Sequence, residues 1–262
     1  MEFVEATKET QDAFFCCLTD CKIEDSENAQ IRQKWHNEHK DKGCSAKVLR
    51  LDNGEVVGRC HTAPIKYSPL IGNDLMLILC LYVHMYQRHK GDQRGKGFGK
   101  YMLERIEEDA RASGFKGLAA WAMVWDWNPV SFYEHLGFSR ADQEDKAVAI
   151  WKPFCADAEP PKLMRLPALP IHKQAKIHVF AADNAWCNGC NKLRIVREAI
   201  EGLENIVDYH EAGAPHQNRI IHLGNVGGVF LDGKVYRPYQ LIGKSDDLRA
   251  EILRLYEVKK NQ

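Results

Sequence analysis

One segment of the sequence combines residue types that bind phosphate. Three glycines alternate with other residues, several of them basic, in Gln93-Arg94-Gly95-Lys96-Gly97-Phe98-Gly99-Lys100. Glycine lets the backbone approach a ligand without a Cβ in the way, and the unpaired amides at the start of a helix attract anions. Arg94, Lys96 and Lys100 add positive charge. The segment therefore predicts a binding site for a phosphorylated ligand.

A second segment carries two thiols, in Trp186-Cys187-Asn188-Gly189-Cys190, between a predicted strand and a predicted helix. A thiol at a helix N-terminus has a lowered pKa and becomes a nucleophile, and a second thiol can resolve the mixed disulfide. We rank a redox or thiol-handling role first, a structural role second and metal binding third. Metal binding would recruit nearby histidines (His178, His210, His216 or His222), but no second CxxC completes a four-ligand zinc site.

Spacing excludes two common phosphate motifs for the glycine-rich turn. The P-loop needs Ser or Thr after its lysine, and Tyr101 follows Lys100. The dinucleotide fingerprint G-x-G-x-x-G needs a third glycine where Met102 stands.

Two motifs in sequence order resemble those of the GNAT acetyltransferases. Arg94–Gly99 fits the pattern R/Q-x-x-G-x-G/A, and the strand before it ends in Leu81-Tyr82-Val83-His84. Asn128-Pro129-Val130-Ser131-Phe132-Tyr133-Glu134-His135-Leu136-Gly137-Phe138 resembles the second signature of the family. The resemblance covers residues 1–153. It implies direct acyl transfer from a CoA thioester, acetyl-CoA above all, to a small-molecule or peptide amine.

The resemblance also implies roles for individual residues. The amides of Gln93–Gly99 hold the pyrophosphate, and the backbone at Val83 and Met85 pairs with the pantetheine arm. Tyr133 occupies the position of the general acid, because a phenol with a pKa of about 10 stays protonated at neutral pH; the alternative is a tyrosine that only packs. Asn128 is expected to cap the helix that carries Tyr133 and is a candidate contact to the cofactor.

The base that deprotonates the amine is less defined by the sequence. We consider His84 first, since it follows Val83 and imidazole titrates near neutrality; the alternatives are Glu55, His61, Asp126 and Glu134. A histidine at a strand end is more often structural. Trp121, Trp125 and Trp127 either line the acceptor side or pack.

These residues require a scaffold of mixed α/β (α+β) class, a GNAT-type sheet flanked by helices. We predict strands and helices alternating along the chain: strands at 3–6, 47–51, 56–63, 75–83, 117–123, 177–181, 206–209 and 229–231, and helices at 11–18, 27–40, 99–113, 192–201 and 246–257. Prolines cluster after residue 152, which predicts an extended linker. The expected domains are 1–154, the linker 155–175, and 176–262.

The C-terminal domain resembles the thioredoxin and glutaredoxin group and the YoaP-like tails of some GNAT proteins. It departs from the group at Gly227, where a cis-proline is expected. Ordinary disulfide exchange is therefore in doubt.

Composition sets the remaining expectations. Lys+Arg and Asp+Glu both number 36, so no nonspecific nucleic-acid partner is expected. The most apolar run, Leu75–Val83, is far shorter than the ~20 residues of a membrane span. Nine cysteines without a secretion signal indicate reduced thiols in the cytoplasm. Two further functions stay open, a thiol-disulfide oxidoreductase that binds CoA only as a ligand and a noncatalytic interaction protein.

Overall fold

The chain forms two compact units, Met1–Met164 (unit 1) and Arg165–Gln262 (unit 2). The computed structural model describes residues 1–163, except 69, 88–89, 125–127 and 145, together with 176–182, 192–212, 228–236 and 245–261. Each unit has its own sheet and its own hydrophobic core.

Unit 1 is built on a seven-stranded sheet with the order β1-β2-β3-β5-β6-β8-β7. The strands of unit 1 are β1 Glu2–Glu5, β2 Ser45–Arg50, β3 Val56–Pro64, β4 Leu70–Ile71, β5 Leu75–Val83, β6 Gly117–Met123, β7 Ser139–Glu144, β8 Ala147–Pro153 and β9 Lys162–Leu163. Its α-helices are α1 Gln11–Phe15, α2 Glu27–His39, α3 Phe98–Ala112 and α4 Val130–His135. Only β5 and β6 pair in parallel within the large sheet, so this mixed α/β sheet agrees with the predicted class.

Helix α3 crosses over between the two parallel strands and packs on the sheet. Its apolar residues recur at helical spacing and are buried, whereas the residues between them are charged. The buried positions are Met102, Leu103, Ile106 and Ala110. Gly114, with φ of 78°, ends the helix in the left-handed conformation that favours glycine. The crossover therefore places the N-terminus of α3 beside the carboxyl end of β5.

Helices α1 and α2 lie between strands β1 and β2 in sequence. Ser26 begins α2, its hydroxyl accepting a hydrogen bond from the Ala29 amide. Helix α1 is shorter than predicted, because Cys17 and Leu18 adopt φ of 56° and 62° and cannot continue a right-handed helix.

Part of the predicted linker packs on unit 1. Strand β9 pairs antiparallel with β4, and Leu163 is buried in a cluster that includes Leu70. The described residues 155–163 thus extend unit 1 beyond the expected boundary at 154.

Unit 2 contains a four-stranded sheet with the order β11-β10-β12-β13. Its elements are β10 Ile177–Ala182, α5 Lys192–Ile200, β11 Val207–Ala212, β12 Gly228–Leu231, β13 Lys234–Tyr236 and α6 Ser245–Lys260. Strands β10 and β11 are parallel, and β12 is antiparallel to β10. Residues of α5 and α6 pack with one face of the sheet, since Val196 and Leu248 share a core with Val179.

Two further properties concern the described part of the chain. None of its helices is long and apolar enough to cross a membrane. Seven cysteines in it carry free thiols: Cys16, Cys17, Cys21, Cys44, Cys60, Cys80 and Cys155.

Candidate active site

Strands β5 and β6 pair over only part of their length, and the space beside their unpaired carboxyl halves is called the cleft below. The two strands pair only where Leu75–Ile78 lies beside Gly117–Ala120. On its other edge β5 continues to pair with β3, but the register shifts so that His61 faces Cys80 and Thr62 faces Ile78. Leu79 is the extra residue of this bulge. A bulge bends a strand and increases its twist, which carries the carboxyl half of β5 away from β6.

The separated half of β5 presents backbone groups to the cleft. The His84 amide donates to the Val57 carbonyl on the β3 side. Successive residues of a strand point their backbone groups to alternate edges, so the N–H and C=O of Leu81 and Val83 point to the open edge. An extended ligand chain can pair there as an added strand. The predicted backbone role of Val83 is consistent with this direction, and Met85 follows two residues beyond.

The glycine-rich turn lies at the N-terminus of α3. Gly95 and Gly97 have φ of 74° and 81°, and a Cβ built on either would meet no atom within 4 Å. Open space therefore lies next to both backbones. Gly97 is the N-cap residue of α3, and no side chain caps this end of the helix. Unpaired helical amides beside open space form an anion-binding site.

Gly99 has a different reason to be glycine. A Cβ there would lie 3.2 Å from the ring of Phe132, which follows in α4. The absence of a side chain allows α4 to pack closely against the start of α3. The two sequence motifs therefore meet in space at Gly99 and Phe132.

The basic residues of the turn differ in how much charge they offer a ligand. Arg94 forms an ion pair with Asp92 at 2.7 Å, and this guanidinium lowers the pKa of Asp92 to about 2. Lys100 lies 3.8 Å from Glu104. Lys96 instead donates to the neutral side-chain oxygen of Gln93 at 2.8 Å. Among the described residues no carboxylate is bound to Lys96, so an anion at the turn would meet its full charge.

His84 and Gln93 hold the segment that leads into the turn. His84 is 1% exposed, and its Nδ1–H donates to the Gly91 carbonyl at 2.8 Å. The Gln93 amide donates to the His84 carbonyl at 2.9 Å. The geometry gives His84 a positioning role, because a buried ring bound to the backbone is poorly placed to meet an incoming amine. Its predicted role as the base stays a prediction.

Tyr133 lies in the core behind the cleft. Its side chain is 1% exposed and packs in the cluster that contains Cys60 and Phe138. Burial raises the pKa of the Tyr133 hydroxyl well above its ordinary value, and the neighbouring Cys60 and Cys80 thiols raise it further. The phenol is therefore protonated at neutral pH.

Asn128 does not cap the helix that carries Tyr133. Pro129 is the residue before α4, and no side-chain hydrogen bond caps that helix. The Asn128 side-chain amide donates to the Trp121 carbonyl at 2.7 Å, and its own carbonyl accepts from the Met123 amide at 2.9 Å. This corrects the expected capping role: Asn128 ties the approach to α4 onto β6.

The other base candidates lie in varied surroundings. His61 is fully buried, Glu55 lies in the β2–β3 hairpin with its carbonyl accepting from the Leu51 amide, and Glu134 is bound by Arg140 at 2.8 Å. Trp121 is half-buried against a core cluster. Asp126, Trp125, Trp127, Cys187 and Cys190 lie outside the described residues.

Three features of the site have weak sequence signals. The bulge at Leu79 lies inside a continuous apolar run, which reads as one regular strand. The packing of Phe132 on Gly99 requires the helix geometry. Cys80 and Tyr133 interact electrostatically although they are far apart in sequence. Nothing in either motif predicts that interaction.

A comparison with models of protein families identifies one family. The family model described as "Acetyltransferase (GNAT) family" matches residues 7–138. The comparison with curated proteins found no match.

Solved structures similar to this chain include ribosomal-protein-alanine N-acetyltransferase from Brucella melitensis, with 18% identity over 59% of this chain and 100% of that one, and a TM-score of 0.44. An N-acetyltransferase from Staphylococcus aureus Mu50 is 18% identical over 57% of this chain and 95% of its own, with a TM-score of 0.41. A GNAT family acetyltransferase from Brucella melitensis, in complex with acetyl-CoA, is 14% identical over 60% and 89%, with a TM-score of 0.37.

Proposed function

The chain belongs to the GNAT family of acetyltransferases, whose model spans half of its 262 residues, and on this premise we propose that unit 1 transfers an acetyl group from acetyl-CoA to a small-molecule or peptide amine. The observation that carries the proposal is the cleft between β5 and β6, with the glycine-rich turn at its end. The pyrophosphate binds at the turn and the pantetheine arm follows the open edge of β5.

The positions of the two motifs support this path. An extended arm that pairs with Leu81 and Val83 would bring the thioester toward the bulge at Leu79, where the register between β3 and β5 shifts. A backbone amide at the bulge would stabilise the oxyanion that forms when the amine attacks the thioester carbon. The acetyl group passes directly from sulfur to nitrogen, the C–S bond breaks, and the CoA thiolate leaves.

Tyr133 protonates that thiolate in the proposed mechanism. A raised pKa keeps the phenol protonated but also makes it a weaker acid. The same burial would raise the pKa of the CoA thiol, because an apolar site disfavours the thiolate as well. The two pKa values therefore rise together, and proton transfer from oxygen to sulfur stays feasible.

The amine must lose a proton before it attacks. Among the described residues, the contacts given above do not identify any carboxylate or imidazole as the group that receives this proton. We propose that the acceptor ammonium gives its proton to solvent water and attacks as the neutral amine, with His84 as the residue to test as an alternative proton acceptor.

An assay of the full-length protein tests the function. The protein is incubated with acetyl-CoA and a panel of amines, and acetylated products are identified by mass spectrometry, which avoids interference from the nine cysteines. Isothermal titration calorimetry with acetyl-CoA is run on the same preparation. Binding of acetyl-CoA without any acetylated product would contradict the transferase and favour the alternative in which unit 1 only binds CoA.

For unit 2 we propose a thioredoxin-like, thiol-handling domain that uses Cys187 and Cys190. Support comes from the β-α-β then β-β-α order of its elements and from α5, which begins at Lys192 just after Cys190. The experiment is mild oxidation followed by peptide mapping. A disulfide between Cys187 and Cys190 is expected, and its failure to form would contradict the redox role.

A further inference from the structure

Two histidines and an aspartate share one face of the sheet in unit 2. His178 on β10 is paired in register with Asp208 on β11, so their side chains point to the same face. His210 follows Asp208 by two residues and returns to that face. The alternate residues of the two strands, Ile177 and Val207 among them, are buried in the core on the opposite face. The sheet therefore leaves the three polar side chains together, outside the hydrophobic core.

The three side chains are close enough to share one ion. One ligand atom from each lies within 4.8 Å of the others, and the His210 Nε2 is 3.3 Å from the Asp208 Oδ1. In tetrahedral zinc sites, bonds of about 2.0–2.1 Å place neighbouring ligand atoms about 3.3 Å apart. The His210–Asp208 pair already has this spacing. Small rotations about the side-chain bonds of His178 would complete the set.

We propose that His178, Asp208 and His210 bind one divalent transition-metal ion of the Zn²⁺ class. Imidazole nitrogens suit zinc, cobalt, nickel and copper, and a carboxylate completes such sites. Calcium and magnesium prefer sets made of oxygen alone. Three protein ligands leave a position for water or for an external ligand.

The proposed site is independent of the two cysteines in the CxxC motif. All three ligands come from the regular part of two paired strands. His178 is the second residue of β10, and about 13 Å of strand separates it from Ala182 at the carboxyl end. Cys187 and Cys190 follow that end in sequence. The three strand residues should therefore hold the ion without a thiolate.

Binding would tie β10 to β11, the two strands that α5 connects. An ion that binds the folded unit and not the unfolded chain stabilises the fold by mass action. The site thus predicts a metal-dependent rise in the thermal stability of unit 2.

The test uses the full-length protein after treatment with a chelator. Zn²⁺ is titrated by calorimetry into wild type, Asp208→Asn and His210→Ala, with Glu257→Gln as a control that changes an exposed carboxylate elsewhere in unit 2. We expect the strongest site of the wild type to weaken by roughly 100-fold in the Asp208 and His210 variants and to persist in the control. Circular dichroism checks that the variants fold, and Asp208→Asn preserves side-chain shape.

A second measurement separates this site from the cysteines. Co²⁺ replaces Zn²⁺ in wild type and in the double variant Cys187→Ser, Cys190→Ser. We expect both proteins to bind Co²⁺ equally, without the charge-transfer absorption of a cobalt–thiolate bond. Loss of binding in the serine variant would overturn the proposal, as would absence of binding in the wild type or unchanged binding in both Asp208 and His210 variants.

Discussion

The sequence motif makes Tyr133 the candidate proton donor, and its side chain is buried in the core of unit 1. Replacing Tyr133 with phenylalanine removes the proton and keeps the ring that packs against Phe138. We expect turnover to fall about 100-fold, within the range of general acid catalysis, while the Kd for acetyl-CoA stays nearly constant. Steady-state kinetics and calorimetry measure the two quantities.

A tyrosine of the other unit provides the matched control. Tyr256→Phe makes the same change in α6 of unit 2 and should leave turnover unaltered. Full turnover in Tyr133→Phe would show that another group or solvent protonates the thiolate.

Gly97 and Gly114 test whether the turn binds the pyrophosphate. Both have φ near 80°, and a Cβ on either would meet no atom within 4 Å, so Gly97→Val and Gly114→Val should suffer similar backbone strain of about 1–2 kcal/mol. Only Gly97→Val also fills the space that the ligand needs. We expect acetyl-CoA binding to be lost in Gly97→Val and retained in Gly114→Val, by calorimetry. Equal affinities in the two variants would remove the pyrophosphate from this turn.

At the scale of single residues, the sequence predicted identities better than contacts. The open space beside Gly97 and the protonated Tyr133 follow from local chemistry, while their roles in binding and catalysis stay predictions. The contacts of Asn128 and His84 depend on partners that lie outside each residue's immediate sequence neighbours, the Trp121 and Gly91 carbonyls. Sequence alone contains no information about which carbonyl a polar side chain will reach.

Helix α2 and strand β3 meet through imidazole rings, and this interface should respond to pH. His61 of β3 is fully buried, and among the described residues neither of its ring nitrogens has a hydrogen-bond partner. Burial lowers its pKa well below 6.5, and electrostatic interactions with His36, Arg59, Arg32 and His39 lower it further. The ring is therefore neutral in the folded protein at neutral pH.

The sign of the pH effect follows from that depressed pKa. Below about pH 6.5 the unfolded chain binds a proton at His61 and the folded chain does not, so stability falls as pH falls, by up to about 1.4 kcal/mol per pH unit for each such proton. Denaturant unfolding between pH 7 and pH 5 should show this loss. His61→Leu should flatten the dependence.

The exposed His135→Leu serves as the control and should keep the slope of the wild type. His36 contributes in the same direction, since burial lowers its pKa as well, so a smaller slope will remain in His61→Leu. A slope unchanged by His61→Leu would show that the ring is solvated in solution.

Among the elements, the buried apolar strands could be predicted from the sequence, whereas the polar strand at the edge of the sheet could not. Strands β5 and β6 have the predicted bounds, because continuous apolar runs end at turn residues. Strands β7 and β8 were not predicted. Strand β7 reads Ser-Arg-Ala-Asp-Gln-Glu and lies at the edge of the sheet, where polar side chains are tolerated on both faces. Only the pairing with β8 makes it a strand.

At the scale of the whole molecule, the two units have separate cores, and each should respond to its own ligand. We expect two transitions in differential scanning calorimetry of the full-length protein. Acetyl-CoA at about 100 times its Kd should stabilise one unit by about 2.7 kcal/mol and raise one transition. Zn²⁺ should raise the other.

Single core substitutions assign the transitions. Val196→Ala removes a fully buried side chain from unit 2, and Ile106→Ala removes a buried one from α3 in unit 1. Each should lower one transition only. A single transition that shifts with both variants would show that the units unfold together.

The early end of pairing between β5 and β6 leaves an interior edge in the sheet of unit 1. Unsatisfied strand edges invite pairing with other chains. Under the proposed function, the pantetheine arm of acetyl-CoA would cover this edge. If acetyl-CoA binds along this edge as proposed, the ligand-free protein exposes an edge that favours aggregation, and bound acetyl-CoA protects it.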